Sequence, residues 1–236
     1  MKAILMAAGM GTRISSETNK PKSLLPLGNE SLIMHTVKML LANDIKVCII
    51  LGYKGDCIRE ELEGLPITFY ENPFYKVTNS IASLWFAKEE LDGEEDILLG
   101  NADVFYPQEL LDLLRSDVHS TLLLGDDTRI TLGDYFFKYD QERNLIDYGK
   151  ELKVKDRSCE YVGLAKIGKT FVPTFRKQME TLVKGGEYNY WWENTLYTMI
   201  EKEKIYVKDS EGIFWGEVDT KEDYKRILNY LDNEQG

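Results

Sequence analysis

Cysteine is scarce in this chain, and its spacing excludes more than its number does. Cys48, Cys57 and Cys159 are three, an odd count with no CxxC pair, which argues against both a disulfide framework and a zinc site. Cys48 lies inside an apolar run and reads as a small core residue, and this usage fits a cytoplasmic compartment. Histidine is scarcer: His35 and His119 are the only two. Neither neighbours a serine or cysteine in a triad-like pattern, so a hydrolase with a histidine base is disfavoured. No run reaches the ~18 apolar residues of a membrane span. The apolar stretch behind Lys2 is too short for a secretory core with a cleavage site and enters a glycine turn. Cations are outnumbered, 29 Lys and Arg against 40 Asp and Glu, for a net charge of −11. A general nucleic-acid binder needs a positive face to displace counterions, and that class is disfavoured too. A triphosphate is not excluded, because a few local cations with a metal ion can dominate a site inside an acidic protein.

What is present is an ordinary globular composition, and 236 residues can bury one substantial core. Lys2–Ala7 is a continuous apolar strand of the kind buried on both faces. Ser31–Asn43 carries a helical period with Ser31 as N-cap. Lys46–Leu51 is a second apolar strand, Asp56–Glu63 a short helix and Ile67–Tyr70 a strand. Ile81–Leu91 is helical, Asp96–Leu99 is another buried strand, and Pro107 opens a helix through Leu114. Such alternation predicts right-handed βαβ units and a mostly parallel sheet. Beyond residue 120 the segments Ser120–Leu124, Tyr135–Tyr139, Leu145–Tyr148 and Tyr161–Lys166 are short and turn-separated, which suggests an antiparallel extension. Helices are expected over Lys169–Val183 and Trp191–Ile200, then a strand over Ile205–Lys208 and a final helix after Asp219. No repeat or flexible linker interrupts the chain. The expectation is an α/β fold: a Rossmann-like mixed, mostly parallel sheet flanked by helices, with a smaller antiparallel and helical extension.

The strongest local signal follows the first strand: Ala7-Ala8-Gly9-Met10-Gly11-Thr12-Arg13. In a doubly wound sheet that is where the ligand crevice lies. Glycines allow backbone N–H groups to approach phosphate oxygens, and Arg13 adds a bidentate donor. The loop is not a P-loop, and Ile14 stands at the third glycine position of GxGxxG. Alone, the glycine pair would also suit a tight strand-to-helix turn. The continuation Pro21-Lys22-Ser23-Leu24-Leu25-Pro26-Leu27-Gly28 makes the difference. Proline fixes the backbone before Lys22, and a lysine so placed can put a point charge on an α-phosphate.

The whole run, GxGTR followed by PKxLLPLG, resembles the signature of the nucleoside-triphosphate transferases that make NDP-sugars and CDP-alcohols. That resemblance implies that Ala8, Gly9, Gly11, Thr12 and Arg13 bind nucleotide, with Lys22 at the α-phosphate. It also implies Mg²⁺ held by Asp103, after the strand ending at Leu99, and by Asp219, after a short strand Phe214–Val218. One or two carboxylates with phosphate oxygens and waters suffice for Mg²⁺. The alternatives are a turn role for Asp103 and a helix cap from Asp219 or Thr220. The segment Val77-Thr78-Asn79-Ser80-Ile81-Ala82-Ser83-Leu84-Trp85 departs from the sugar-phosphate members. With Glu89-Glu90-Leu91 and Tyr190-Trp191-Trp192-Glu193-Asn194, it is more similar to bacterial cytidylyltransferases acting on phosphocholine or 2-aminoethylphosphonate. Asn79 and Ser83 are then candidates for base or ribose contacts, with helix capping as the alternative.

Tyr188, Tyr190, Trp191, Trp192 and Glu193 form the densest aromatic cluster. Aromatic faces beside a carboxylate suit an ammonium group, although Trp192 could equally be packing. Lys150 falls where family members place a lysine for the acceptor phosphate, with a plain surface role as the alternative; Glu217 and Tyr161 are further candidates. The expected organisation is one domain over 1–236, with the nucleotide-binding half to about residue 120 and the acceptor-binding half beyond it. The expected reaction joins CTP and a small phosphorylated or phosphonate acceptor, with no nucleic acid, no membrane span and a homodimer left open. A sugar-1-phosphate or inositol-phosphate nucleotidyltransferase, a glycosyltransferase and a non-catalytic nucleotide sensor are the competing readings.

Overall fold

The apolar run after Met1 forms β1 (Lys2–Ala7), buried at every position, as befits a central strand covered on both faces. It is the first element of a computed structural model that describes residues 1–11 and 20–234. A two-stranded ribbon of β2 (Pro26–Leu27) and β3 (Glu30–Ser31) follows. It leads into α1 (Leu32–Ala42), where Ser31 Oγ accepts from the Met34 N–H at 3.2 Å as the N-cap. Next come β4 (Lys46–Leu51), α2 (Gly55–Glu61), β5 (Ile67–Glu71), α3 (Ser80–Phe86) and β6 (Ile97–Asn101). These strands pair in parallel in the order β6-β1-β4-β5, with Lys2 opposite both Lys46 and Ile97.

The chain continues through β7 (Val104–Phe105), α4 (Gln108–Ser116), β8 (Thr121–Asp126), β9 (Phe136–Tyr139), β10 (Leu145–Gly149) and β11 (Cys159–Ile167). After them come α5 (Val172–Lys184), α6 (Asn194–Tyr197), β12 (Tyr206–Asp209), β13 (Gly216–Glu217) and α7 (Lys221–Glu234). Strand β11 runs antiparallel to β6, β8 and β9, and β12 lies parallel to β8. The result is the expected α/β architecture, a mixed, mostly parallel central sheet flanked by helices, with antiparallel additions.

Alternation along the strands builds two apolar layers. Ile4 and Met6 of β1 pack with Ile81 and Leu84 of α3 and Phe175 and Met179 of α5. Ala3, Leu5 and Ala7 face the other way, toward Ile33 and Val37 of α1, Ile58 of α2 and Leu110 of α4. A third cluster joins Leu25, Leu27 and Leu32 to Phe105, Val218 and Ile227 of α7. It clamps the lysine-bearing turn to β7 and the C-terminal helix.

Helix boundaries differ from the sequence expectation for a common reason. The helix expected over Ile81–Leu91 ends at Phe86, and a 3₁₀ turn over Lys88–Glu90 continues it. The one expected over Trp191–Ile200 is α-helical only from Asn194 to Tyr197, flanked by turns such as Asn194 N–H to the Trp191 carbonyl at 3.1 Å. Consecutive i→i+3 turns keep much the same apolar phase as an α-helix, so periodicity does not separate them.

Candidate active site

A cavity of about 330 Å³ opens where β1 and β6 end, the carboxyl edge at which open α/β sheets bind ligands. Ala8, Gly9 and Gly11 line it, together with Asn79, Ser83 and Tyr75. Thr12 and Arg13 lie outside the described residues. Gly11 has φ +56°, and a Cβ there would stand 2.8 Å from Lys22 Cγ. Only glycine therefore lets the loop pass over the lysine stem. Pro21, with ψ 143°, precedes the 3₁₀ turn over Lys22–Leu24 that aims Lys22 into the cavity.

Asp103 and Asp219, 116 positions apart in sequence, are brought together by a backbone ribbon. Glu217 of β13 pairs with Val104 of β7, and the Val218 N–H donates to the Asp103 carbonyl at 2.9 Å. Asp103, Glu217 and Asp219 each offer one oxygen within 4.8 Å of the others. Lys22 Nζ hydrogen-bonds Asp219 and lies 3.6 Å from Asp103. Thr220 takes over the capping of α7: its Oγ1 accepts from the Asp223 N–H, and its own N–H donates to Asp223 Oδ2 at 2.8 Å. Asp219 is thereby left to the site.

The electrostatics follow from burial. Burial alone would push the Lys22 ammonium down, but Asp103, Asp219 and Glu217 outweigh it and hold its pKa above the ordinary lysine value. Burial raises the Asp103 carboxyl despite Lys22, and burial with the Asp103 and Asp219 charges holds Glu217 well above the usual range. Three crowded carboxylates with one lysine among them are short of positive charge. Hard oxygen donors in this arrangement suit Mg²⁺, and Asp103, Glu217 and Asp219 are the residues that would hold it.

Beyond this centre the cavity continues into a chamber with aromatic walls, formed by Tyr135, Tyr161, Trp191 and Tyr197. Tyr135 meets Trp191 edge-on at 5.4 Å and stacks on Tyr197 at 5.8 Å. Glu193 also lines it; burial, with Asp103 nearby, pushes that carboxyl up to about 8. Lys150 stands at the same end, its Nζ 2.8 Å from Asp134 Oδ2 and 5.8 Å from the centre of the Trp191 ring.

Three of the aromatic candidates stand apart from the lining, Tyr188 among them as an exposed side chain. Trp192 is 0% exposed in the core, its Nε1 donating to Asn101 Oδ1 at 3.3 Å. Tyr190 packs partly buried against that core, its carbonyl accepting from the Ile81 N–H. The Trp191-Trp192 pair leads into the turn before α6, and of the two only Trp191 reaches the chamber. Asn79 caps α3, its Oδ1 accepting from the Ser80 N–H at 2.8 Å, while still lining the cavity. Ser83 Oγ accepts from Asn72 at 2.9 Å. Tyr135, Asp134 and Glu160 were not anticipated. The Gly133-Asp134-Tyr135 turn before β9 is the signal that could have found the first two.

A family model described as a MobA-like NTP transferase domain matches residues 3–125. The choline-phosphate cytidylyltransferase of Streptococcus pneumoniae is 30% identical over 249 residues, covering 99% of this chain and 100% of that protein. A 2-aminoethylphosphonate cytidylyltransferase of Lancefieldella rimae is 26% identical over 158 residues, covering 63% of this chain and 60% of that one. Among solved structures, the CTP:phosphocholine cytidylyltransferase of Streptococcus pneumoniae superposes with a TM-score of 0.77 at 23% identity, covering 98% of each chain.

Proposed function

This chain belongs to the MobA-like NTP transferase family, and from that premise we propose that it transfers CMP from CTP to a small phosphorylated amino-alcohol or aminophosphonate, with phosphocholine and 2-aminoethylphosphonate favoured. One observation carries the choice of acceptor: a single cavity joins the lysine–carboxylate centre to a chamber of aromatic faces over a buried carboxylate. An ammonium group is attracted to such faces by their quadrupoles, and a cation bound there would draw down the raised pKa of Glu193 at their base, which then supplies the countercharge. A sugar phosphate would want several fixed hydrogen-bonding groups where this chamber offers rings. The names of both relatives support the reading.

The acceptor's phosphate or phosphonate oxygen attacks the α-phosphorus of CTP in line. The bond to the bridging oxygen breaks and pyrophosphate leaves, with no covalent protein intermediate. Lys22 places its charge on the α-phosphate as negative charge shifts there, and Gly9 and Gly11 allow the backbone to close on the phosphates. Mg²⁺, held by Asp103, Asp219 and Glu217, would neutralise phosphate charge. Lys150 is at hand for the acceptor's own phosphate.

The test is a pyrophosphate-release screen of CTP, UTP, dTTP and ATP against phosphocholine, 2-aminoethylphosphonate, glucose 1-phosphate and an inositol phosphate. Turnover of CTP with an amino acceptor is expected. Turnover confined to the sugar or inositol phosphates would overturn the acceptor assignment.

A further inference from the structure

One buried carboxylate with no part in the chemistry described so far is bonded to the stretch of chain that carries one ring of the chamber and the partner of its lysine. Glu160, on β11, is 5% exposed and borders the cavity. A carboxylate so enclosed must be met by donors, and here two come from a single stretch of chain. Arg129 Nε donates to one oxygen, and the backbone N–H of Asp134 donates to the other at 3.1 Å. The intervening Gly133 is a glycine for a steric reason, since a Cβ there would fall 2.2 Å from Glu160 Oε1.

The far end of the same stretch is tied as well. Asp126, also buried, accepts from the Thr128 N–H at 2.9 Å and from Trp215 Nε1 at 2.8 Å. The strap over residues 126–135 is thus pinned at both ends by buried carboxylates. What it carries are two groups of the acceptor chamber. Tyr135 presents its ring, its carbonyl held by the Tyr161 N–H at 2.8 Å, and Asp134 Oδ2 holds Lys150 Nζ at 2.8 Å. A lysine on a flexible four-carbon stem is steered by such a partner, here together with the Trp191 ring 5.8 Å from its Nζ.

We infer that Glu160 is a positioning residue for the acceptor: by holding the backbone at Asp134 it sets the direction of Lys150 and the place of the Tyr135 ring. The inference rests on the proposed acceptor chamber, without depending on which phosphorylated compound occupies it.

Glu160→Gln tests it. The substitution keeps the shape but turns an acceptor oxygen into an N–H₂ that must face Arg129 or the Asp134 N–H, both donors. Misplacing a positioning group by ~1 Å can cost up to about 100-fold, so the KM for the acceptor should rise about 10- to 100-fold. The KM for CTP and kcat at saturating acceptor should stay within about twofold. Gly133→Ala disturbs the same contact from the strap side and should give the same split, which covers the case in which Glu160→Gln fails to fold. An unchanged acceptor KM in both variants overturns the inference. So does a parallel loss in acceptor KM, CTP KM and kcat, which would mark general damage. If the wild type uses a sugar phosphate, the amino-acceptor reading fails, and the Glu160 split is then read with that sugar phosphate.

Discussion

Replacing Lys22 with methionine separates two duties that one ammonium performs. Oxygens of Asp103, Glu217 and Asp219 lie within 4.8 Å of one another. At an effective dielectric of ~20, each ionised pair at that spacing repels by roughly 3–4 kcal/mol. Lys22, bonded to Asp219 and 3.6 Å from Asp103, offsets that repulsion. In the proposed reaction it has to leave these carboxylates for the α-phosphate. Loss of one fixed charge aimed at developing negative charge costs about 3–4 kcal/mol, or 10²–10³ in kcat. Lys22→Met should show that drop in pyrophosphate release at saturating substrates, with Mg²⁺ present. Its thermal unfolding should also change in a pH-dependent way. The Lys22 pKa is raised in the folded protein, so its stabilisation is complete below the unfolded value near ~10.4 and is lost only at higher pH. The variant's deficit therefore exists at neutral pH and should shrink as acid protonates the carboxylates. A Lys22→Met enzyme within about threefold of the wild-type kcat would refute the assigned role. Equal stability loss at pH 5 and pH 8 would refute the electrostatic account.

Asp103→Asn and Asp219→Asn should each raise the Mg²⁺ concentration giving half-maximal rate, and chelation of the metal should abolish turnover; a metal titration of the rate reads both. Trp191→Ala should raise the acceptor KM about 2- to 30-fold, the range of ~0.5–2 kcal/mol for a cation–π contact, with little change in unfolding. Trp192→Ala should instead lower stability by about 3–5 kcal/mol, as for a large buried aromatic, measured by denaturant unfolding. Glu193 is raised to about 8, so its stabilisation is full below the unfolded value near ~4.3 and drains away as pH rises to 8. Glu193→Gln should flatten that stretch of the profile of melting temperature against pH.

The central strands were legible because each carries its whole signal within itself. Lys2–Ala7 and Lys46–Leu51 are each a lysine followed by five apolar residues, and form strands with those bounds. Helix ends were less so. Ala87 and Leu91 keep the apolar phase of α3 while the backbone has already passed into a 3₁₀ turn. Burial decides which residues recur, and more than one backbone can deliver that recurrence.

The two ends of the site differ for a related reason. The nucleotide end depends on backbone geometry, and backbone geometry restricts residue type. Gly11 must be glycine beside Lys22, and Pro21 fixes the turn that aims it, so the motif is visible in a single line of sequence. The acceptor end depends on which way side chains point, and a tyrosine reads the same whether it faces a core or a cavity. Trp191 and Trp192 are adjacent and chemically alike, yet one borders the chamber and the other is sealed against Asn101. Their roles are separated at the entry to a turn that spans only a few residues. Tyr135 reaches the chamber because Glu160, 25 positions later, grips the chain beside it. Here too a glycine marks the place: Gly133 restricts residue type by the space it leaves for a carboxylate, as Gly11 does for a lysine stem. The acceptor end is thus written partly in backbone terms, through a strap whose anchor becomes apparent only once β11 lies beneath it.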